Sequence, residues 1–189
     1  MVRKKVIDIM ETNDCITTRR SVRRFLDRDI SEETIKKVID AARYAPFGGP
    51  PIKGPQLREF IVIRDSETKK KLALEYEDRQ FVASAPVIIA CCADKMRDPE
   101  YKEFQVTVGV GVQNMLLTAH DLGLGACYIT AFIRHEEHQE DRLKLIKSLN
   151  LPNNIELIGL IALGWPDPSE ELDKKELREL KDIIHFEKY

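Results

Sequence analysis

The sequence predicts a single sheet flanked by helices, in an α+β or α/β arrangement. Short apolar runs typical of strands alternate along the chain with amphipathic segments of helical spacing. No internal repeat is present, and no stretch of linker composition justifies a domain boundary. The 189 residues are enough to bury one core without support from disulfides or metals.

The first part of the chain contains two predicted helices and a long loop. A short helix capped by Asn13 or Asp14 precedes a run of basic residues. An amphipathic helix is predicted at residues 31–45, with Ser31 at its start and a proline directly after its end. Residues 46–55 hold four prolines and three glycines, a density that excludes a helix or a central strand and predicts a loop.

Strands dominate the rest of the chain. The predicted elements are a strand at Glu59–Arg64, a surface helix at Ser66–Gln80, a strand at Pro86–Cys92, a long central helix at Val106–Leu122, a strand at Ala126–Thr130, a helix that ends at Ile146 and a strand at Asn154–Leu163. The continuous apolar run Pro86–Cys92 is typical of a strand buried on both faces, so Cys91 and Cys92 should point to opposite faces. Residues 169–189 form a charged tail.

Composition excludes several classes of protein. Hydrophobic residues make up 43% of the chain and charged residues 33%, and 30 basic residues are balanced by 32 acidic ones. Nucleic acid is therefore not the default partner. The longest apolar stretches are about half the ~20 residues of a membrane span, and the N-terminus has no apolar signal core, so we expect a cytoplasmic protein that does not contact membranes. Four cysteines without a C-x-x-C pair predict reduced thiols.

The segment Arg19–Arg24 is the strongest candidate for a binding site. It places four guanidinium groups and one hydroxyl within six residues. Guanidinium groups match the oxygens of phosphate in a bidentate manner, so a phosphorylated ligand is a natural partner. The alternative is a solvated basic surface beside Asp27 and Asp29, and composition alone favours neither.

The other candidate motifs give weaker evidence of a functional site. His135 and His138 could ligate a metal only if a third ligand converged from elsewhere, so no metal site is predicted. Gly109 and Gly111 lack the third glycine of a dinucleotide fingerprint and are interpreted as close packing in a buried helix. No nucleophile elbow and no Walker loop is present. The chemistry is therefore expected to come from an organic cofactor, with no catalytic side chain predicted.

Four motifs in order resemble the nitroreductase family of flavoproteins. They are Arg19-Arg20-Ser21-Val22-Arg23-Arg24-Phe25, Ala45-Pro46-Phe47-Gly48-Gly49, Gln113-Asn114-Met115-Leu116-Leu117 leading to Gly123-Leu124-Gly125, and Leu163-Gly164-Trp165-Pro166. The resemblance covers one FMN-binding domain at residues 13–189 and leaves residues 1–12 as a lead-in.

The resemblance implies a three-layer α+β sandwich with a mixed, mainly antiparallel sheet. It also implies an intertwined homodimer with FMN at the subunit interface. NADH or NADPH would reduce the flavin by hydride transfer, and a nitroaromatic, a quinone or a similar electron-poor acceptor would then use the same face in a ping-pong cycle. The sequence does not distinguish NADH from NADPH.

The resemblance also implies particular cofactor-binding residues. Arg19, Arg20 and Ser21 match the phosphate and ribityl side of FMN, and Arg23 matches a residue near N1 and O2 of the ring. The remaining positions are the partner-contributed loop Pro46, Phe47 and Gly48, the polar side chain of Gln80, the stretch Thr130 and Ala131 whose backbone N–H groups approach N5 and O4, and the basic tail residues Arg178 and Lys174 or its neighbour Lys175.

The chain departs from the family pattern beside the flavin. Phe47 replaces a small polar residue, an asparagine is missing, and about four extra residues precede Gln56. Two rival functions stay open: specialised flavin chemistry such as dehalogenation or flavin destruction, which the resemblance also allows, and a flavin-binding or redox-sensing module without turnover, which the altered loop allows. Should the resemblance mislead, a domain that binds a phosphorylated ligand remains.

Overall fold

A four-stranded antiparallel sheet forms the centre of the part of the chain that the structure describes. The computed structural model describes residues 10–47, 57–74, 80–97, 104–131, 139–172 and 174–189. The strands are β1 (Arg58–Ile63), β2 (Val87–Asp94), β3 (Gly125–Thr130) and β4 (Ile155–Gly164), in the order β1-β2-β4-β3. The helices are α1 (Thr12–Thr18), α2 (Glu32–Ala41), α3 (Ser66–Leu74), α4 (Phe81–Ser84), α5 (Phe104–Asp121) and α6 (Gln139–Ser148).

Helices cover both faces of the sheet. Alternate residues of β2, such as Ile89 and Cys91, join a core that includes buried residues of α2 and α5. The residues between them, such as Ile88 and Cys92, join a second core with α3, α4 and α6. The three-layer sandwich is confirmed, and so is the prediction that Cys91 and Cys92 point to opposite faces.

A parallel bridge makes the sheet mixed. After α1 the chain runs extended along the free edge of β3, where Ser21 bridges Ala126 in the parallel sense. The Val22 N–H donates to the Ala126 carbonyl at 3.1 Å. A Cβ atom on Gly125 would lie 2.6 Å from Val22 Cγ1, so this close approach requires glycine at that position. The basic segment is thereby fixed to the sheet.

The predicted elements agree with the observed ones within a few residues. Ser31 caps α2 as predicted, its Oγ accepting from the Thr34 N–H, and a 3-10 turn at Ala42–Tyr44 completes the predicted span of 31–45. The helix predicted at Ser66–Gln80 corresponds to α3, which the structure describes as far as Leu74. Residues 75–79 of the predicted helix lie outside the described residues. The predicted loop beyond Phe47 and the two histidines at 135 and 138 also lie outside them.

The C-terminal tail carries many exposed apolar side chains. Apart from a 3-10 turn at Leu180–Asp182 it has no regular structure within the described residues. Its exposed large apolar residues are Leu172, Leu177, Leu180, Ile183, Ile184, Phe186 and Tyr189. None of the helices that the structure describes is long and apolar enough to cross a bilayer.

Candidate functional site

The basic segment begins at the C-terminal end of α1. Arg20 Nη1 donates to the carbonyls of Thr17 (2.9 Å), Thr18 (3.0 Å) and Arg19 (3.0 Å). The last carbonyls of a helix lack intrahelical partners and carry partial negative charge. The end of α1 therefore orients the Arg20 side chain, while the Arg19 guanidinium makes no hydrogen bond or ion pair with the described residues.

The tail adds a third cation to this helix end. Lys175 Nζ donates to the carbonyls of Ile16 and Thr17, each at 3.3 Å. Arg20 and Lys175 thus share the Thr17 carbonyl. Desolvation, followed by the charges of Arg20 and Arg19, lowers the pKa of Lys175, as expected for an ammonium group held beside other cations.

The structure brings Lys175 to the site rather than the other two tail residues that the sequence analysis considered. Lys174 is exposed and makes no hydrogen bond or ion pair with the described residues. The Arg178 guanidinium is exposed as well and donates to the Asp182 carbonyl within the tail. An extended tail has no periodicity that could have distinguished these neighbours.

A histidine that the sequence analysis did not single out also joins the cluster. His120, in the last turn of α5, has its Nε2 2.8 Å from Thr18 Oγ1. Burial is the largest cause that lowers the pKa of His120, and the charges of Arg19, Arg20 and Lys175 lower it further, whereas Asp121 opposes them. We call Arg19, Arg20, Lys175 and His120 the basic cluster.

The basic cluster has the chemistry of an anion site. No carboxylate forms an ion pair with Arg19, Arg20 or Lys175 within the described ranges. Asp121, whose charge acts on His120, accepts a hydrogen bond from the Met10 N–H at 3.0 Å. Guanidinium and ammonium groups gathered without a paired acid fit the oxygens of a phosphate group.

A carboxylate from the tail fixes the backbone at Arg23 instead. The Arg23 N–H lies 3.0 and 3.2 Å from the two carboxylate oxygens of Glu170, and the Arg24 N–H lies 3.0 Å from one of them. The Arg23 side chain is exposed and has no hydrogen bond or ion pair to the described residues. Glu170 therefore orients this segment without neutralising the Arg23 guanidinium in an ion pair.

Arg58 anchors the start of the loop that holds Pro46 and Phe47. This residue is 8% exposed, and burial lowers its pKa. Its Nε donates to the Thr107 carbonyl at 2.9 Å, and its Nη2 donates to the carbonyls of Ala45 and Pro46. Phe47, the next residue, is 37% exposed. Gly48, the third predicted residue of this loop, lies outside the described residues.

The two glycines of α5 differ in their surroundings. A Cβ atom on Gly111 would lie 2.9 Å from Arg58 Nε, so Gly111 provides the space for this buried guanidinium. The close packing predicted for Gly111 is therefore present. A Cβ atom on Gly109 would meet nothing within 4 Å, so the same prediction is wrong for Gly109 within this chain.

The other predicted positions lie apart from the basic cluster. Gln80 is exposed in the turn before α4, and Thr130 ends β3, about 13 Å along the strand from Ala126. The Ala131 N–H donates to the Ile158 carbonyl at 3.0 Å, and the contact of this stretch with a flavin stays a prediction. No hydrogen bond or ion pair joins Pro46, Phe47 or Gln80 to the basic cluster in the described part of this chain.

The thiols have no features of a redox pair. Cys91 and Cys92 are fully buried, and burial raises the pKa of Cys91 strongly and that of Cys92 to about 12. Both thiols therefore stay protonated at neutral pH and resist oxidation.

Comparisons with known proteins identify relatives over most of the chain. The sequence profile of the Nitroreductase family matches residues 16–77 and 73–165. A protein of Archaeoglobus fulgidus, provisionally named NADH dehydrogenase/NAD(P)H nitroreductase, is 34% identical over 92% of this chain and 96% of its own length. An FMN reductase [NAD(P)H] of Bacillus subtilis is 26% identical over 92% of this chain and 72% of its own.

A solved structure shares the fold. The FMN complex of a protein of Desulfovibrio desulfuricans, provisionally described as a nitroreductase, superimposes with a TM-score of 0.77 at 28% identity. The match covers 98% of this chain and 99% of that one.

Proposed function

The chain belongs to the nitroreductase family, and we propose that it is an FMN-dependent oxidoreductase that takes hydride from NADH or NADPH. Its acceptors are nitroaromatics, quinones and similar electron-poor compounds, reduced in a ping-pong cycle. The names of the two curated relatives support the NAD(P)H donor, and the FMN complex of the structural relative supports the cofactor. The observation that carries the proposal is the basic cluster at the end of α1.

The donor set of the basic cluster fits the phosphate of FMN. Arg19 has a guanidinium group without a partner in the described residues, and Arg20 and Lys175 are held beside it by the carbonyls of α1. A divalent phosphate stabilises such a group of like charges, because its oxygens accept from several donors at once. Ser21, whose backbone bridges Ala126, follows Arg20 directly and would add a hydroxyl to this donor set.

The protein contributes position and charge rather than a side-chain acid or base. When bound, FMN supplies a ring system that accepts a hydride and passes electrons to a second substrate. By the resemblance, Arg23 would lie near N1 and O2 of the ring, where its positive charge would favour electron uptake. Phe47 offers a flat apolar surface to the acceptor, as the position of the loop in the resemblance implies.

A second copy of the chain completes the site. Within the described residues of one chain, Pro46, Phe47 and Gln80 make no hydrogen bond or ion pair with the basic cluster, although all belong to the predicted cofactor site. A homodimer brings the loop of one protomer to the basic cluster of its partner. The exposed apolar residues of the tail and of α5 provide the surface that such a dimer buries.

The first test is an absorbance spectrum of the purified protein after addition of FMN and desalting. We expect retained flavin bands that bleach when NADH or NADPH is added without oxygen. Retained flavin that neither nucleotide bleaches would contradict the oxidoreductase and favour a binding module. Absence of retained flavin would contradict the cofactor itself.

Substitution of Arg19 tests the position of the phosphate. Arg19→Ala removes the cation without a partner and should weaken FMN binding about 30-fold, because a hydrogen bond to a charged group contributes about 2 kcal/mol. Arg24→Ala is the matched control, since its exposed side chain makes no hydrogen bond with the described residues. Fluorescence quenching of FMN measures both affinities, and equal effects of the two variants would contradict the assignment.

A further inference from the structure

His120 occupies the junction between α5 and the end of α1. Its Nε2 lies 2.8 Å from the hydroxyl of Thr18, the residue before the basic segment. The carbonyl of Thr18 accepts from Arg20, and the carbonyl of its neighbour Thr17 accepts from both Arg20 and Lys175. The residue that the imidazole contacts, and the residue before it, thus provide the carbonyls that accept from Arg20 and Lys175.

Hydrogen-bond geometry fixes which ring nitrogen carries the proton. Thr18 Oγ1 is 2.6 Å from the Asp14 carbonyl, which can only accept, so the single hydroxyl proton lies in that bond. The oxygen must then accept from Nε2–H of His120. Nδ1 of the neutral ring is then an acceptor that makes no hydrogen bond with the described residues, and a second proton can enter there without breaking the contact with Thr18.

The charges that act on His120 come from three parts of the chain. Arg19 and Arg20 follow α1, Lys175 comes from the tail, and Asp121 is the next residue of α5. Burial and the three cations disfavour the imidazolium, and Asp121 favours it. Cys15 of α1 donates its thiol proton to the Leu117 carbonyl and stays neutral because burial raises its pKa.

We propose that His120 is the protonatable member of the anion site and that the protein takes up a proton at His120 Nδ1 when it binds the phosphate of FMN. The inference rests on the proposed function, because FMN supplies the phosphate. A divalent anion beside Arg19, Arg20 and Lys175 offsets the charges that keep the ring neutral. His120 is then a positioning residue: it contacts Thr18, and its added positive charge increases the affinity of the site for the phosphate.

The direction of the pH effect follows. In the free protein the pKa of His120 is lowered, so the ring is neutral at pH 7. Phosphate binding raises that pKa, so binding gains free energy as the pH falls through the raised value and stops gaining below the lower pKa of the free protein. Affinity for FMN therefore increases as the pH falls from alkaline values, until protonation of the phosphate itself, with a pKa of about 6, opposes the gain.

Calorimetry of FMN binding to the full-length protein tests the proton uptake. Titrations at pH 7.0 in buffers of different ionisation enthalpy give the number of protons bound per FMN. Wild type should take up a measurable fraction of a proton, at most ~0.5, more than His120→Gln, whose amide N–H still donates to Thr18 but cannot be charged. Arg97→Gln, an exposed position outside the basic cluster, should behave as wild type. Equal uptake by wild type and His120→Gln would overturn the inference.

Two further measurements separate the possible failures. An NMR titration of the imidazole resonances should show the pKa of His120 higher by about 1 unit in the FMN complex than in the free protein. An unchanged value would overturn the inference even if His120→Gln does not fold. Riboflavin, which lacks the phosphate, should bind without this uptake. If wild type does not bind FMN, the proposed function fails as well, whereas binding without the difference in uptake overturns this inference alone.

Discussion

At the scale of single residues, Arg58 is a buried cation that holds backbone rather than a carboxylate. Its hydrogen bonds to the carbonyls of Thr107, Ala45 and Pro46 connect α5 to the loop before Phe47. Arg58→Met should lower the free energy of unfolding by about 3 kcal/mol, because several buried carbonyls lose their donors at once. Urea denaturation measures this loss.

The control for Arg58 is an exposed arginine with one partner. Arg97 lies 3.5 Å from an oxygen of Asp94, and its side chain is 58% exposed. Arg97→Met should change stability by less than about 0.5 kcal/mol. A loss in Arg58→Met no larger than that in the control would show that the Ala45–Pro46 backbone holds its position without the guanidinium.

The sequence predicted which types of residue form the site, but not which distant residues contact them. Arg19 and Arg20 could be identified because the affinity of guanidinium for phosphate belongs to the side chain itself. Lys175 and His120 join them through contacts between residues more than 100 positions apart, and no local pattern encodes such contacts. Arg58 was missed for a different reason, because charged residues are seldom buried without an acid.

At the scale of elements, the start of α3 depends on an ionised cap. Asp65 Oδ2 accepts from the Thr68 N–H and from its hydroxyl, both at 2.7 Å. These bonds, the hydroxyl first, lower the pKa of Asp65. The stabilisation is therefore present above the ordinary carboxyl pKa of about 3.9 and is lost as the pH falls through the lowered value. Asp65→Asn should be less stable than wild type at pH 7, and the difference should shrink below about pH 3.5.

Thr68→Val provides the matched comparison, because it removes the hydroxyl that contributes most to the shift. Urea midpoints measured between pH 2.5 and 7 should show a weaker pH dependence in this variant than in wild type. A constant difference between wild type and Asp65→Asn across the whole range would mean that the charge of Asp65 does not stabilise α3.

Local periodicity explains why most elements were predicted correctly. The buried run that became β2 and the long apolar helix that became α5 have patterns that few other structures satisfy. The order β1-β2-β4-β3 depends on pairing between distant segments, so it could not be read from any one of them. The extended run after α1 has no alternating pattern, and only its bridge to Ala126 makes it part of the sheet.

At the scale of the whole molecule, the described chain leaves two apolar surfaces uncovered. One is on α5, where Val106 and Val110 are 59% and 36% exposed and lie one helical turn apart. The other is the tail, where Phe186 is 84% exposed. Apolar side chains collected on two separate elements are typical of a surface that a second copy of the chain covers.

The double substitution Val106→Glu and Val110→Glu tests this dimer and its link to the cofactor. The dissociation constant of the dimer should rise at least ~100-fold. Each lost valine removes about 1.5 kcal/mol or more of burial energy, and each buried glutamate adds a desolvation cost. Sedimentation velocity measures the dissociation, and FMN affinity should fall in parallel because loop and basic cluster separate. Leu143→Glu, on α6 and 64% exposed, should leave both unchanged. A monomeric double variant that binds FMN as tightly as wild type would show that one chain holds the cofactor by itself.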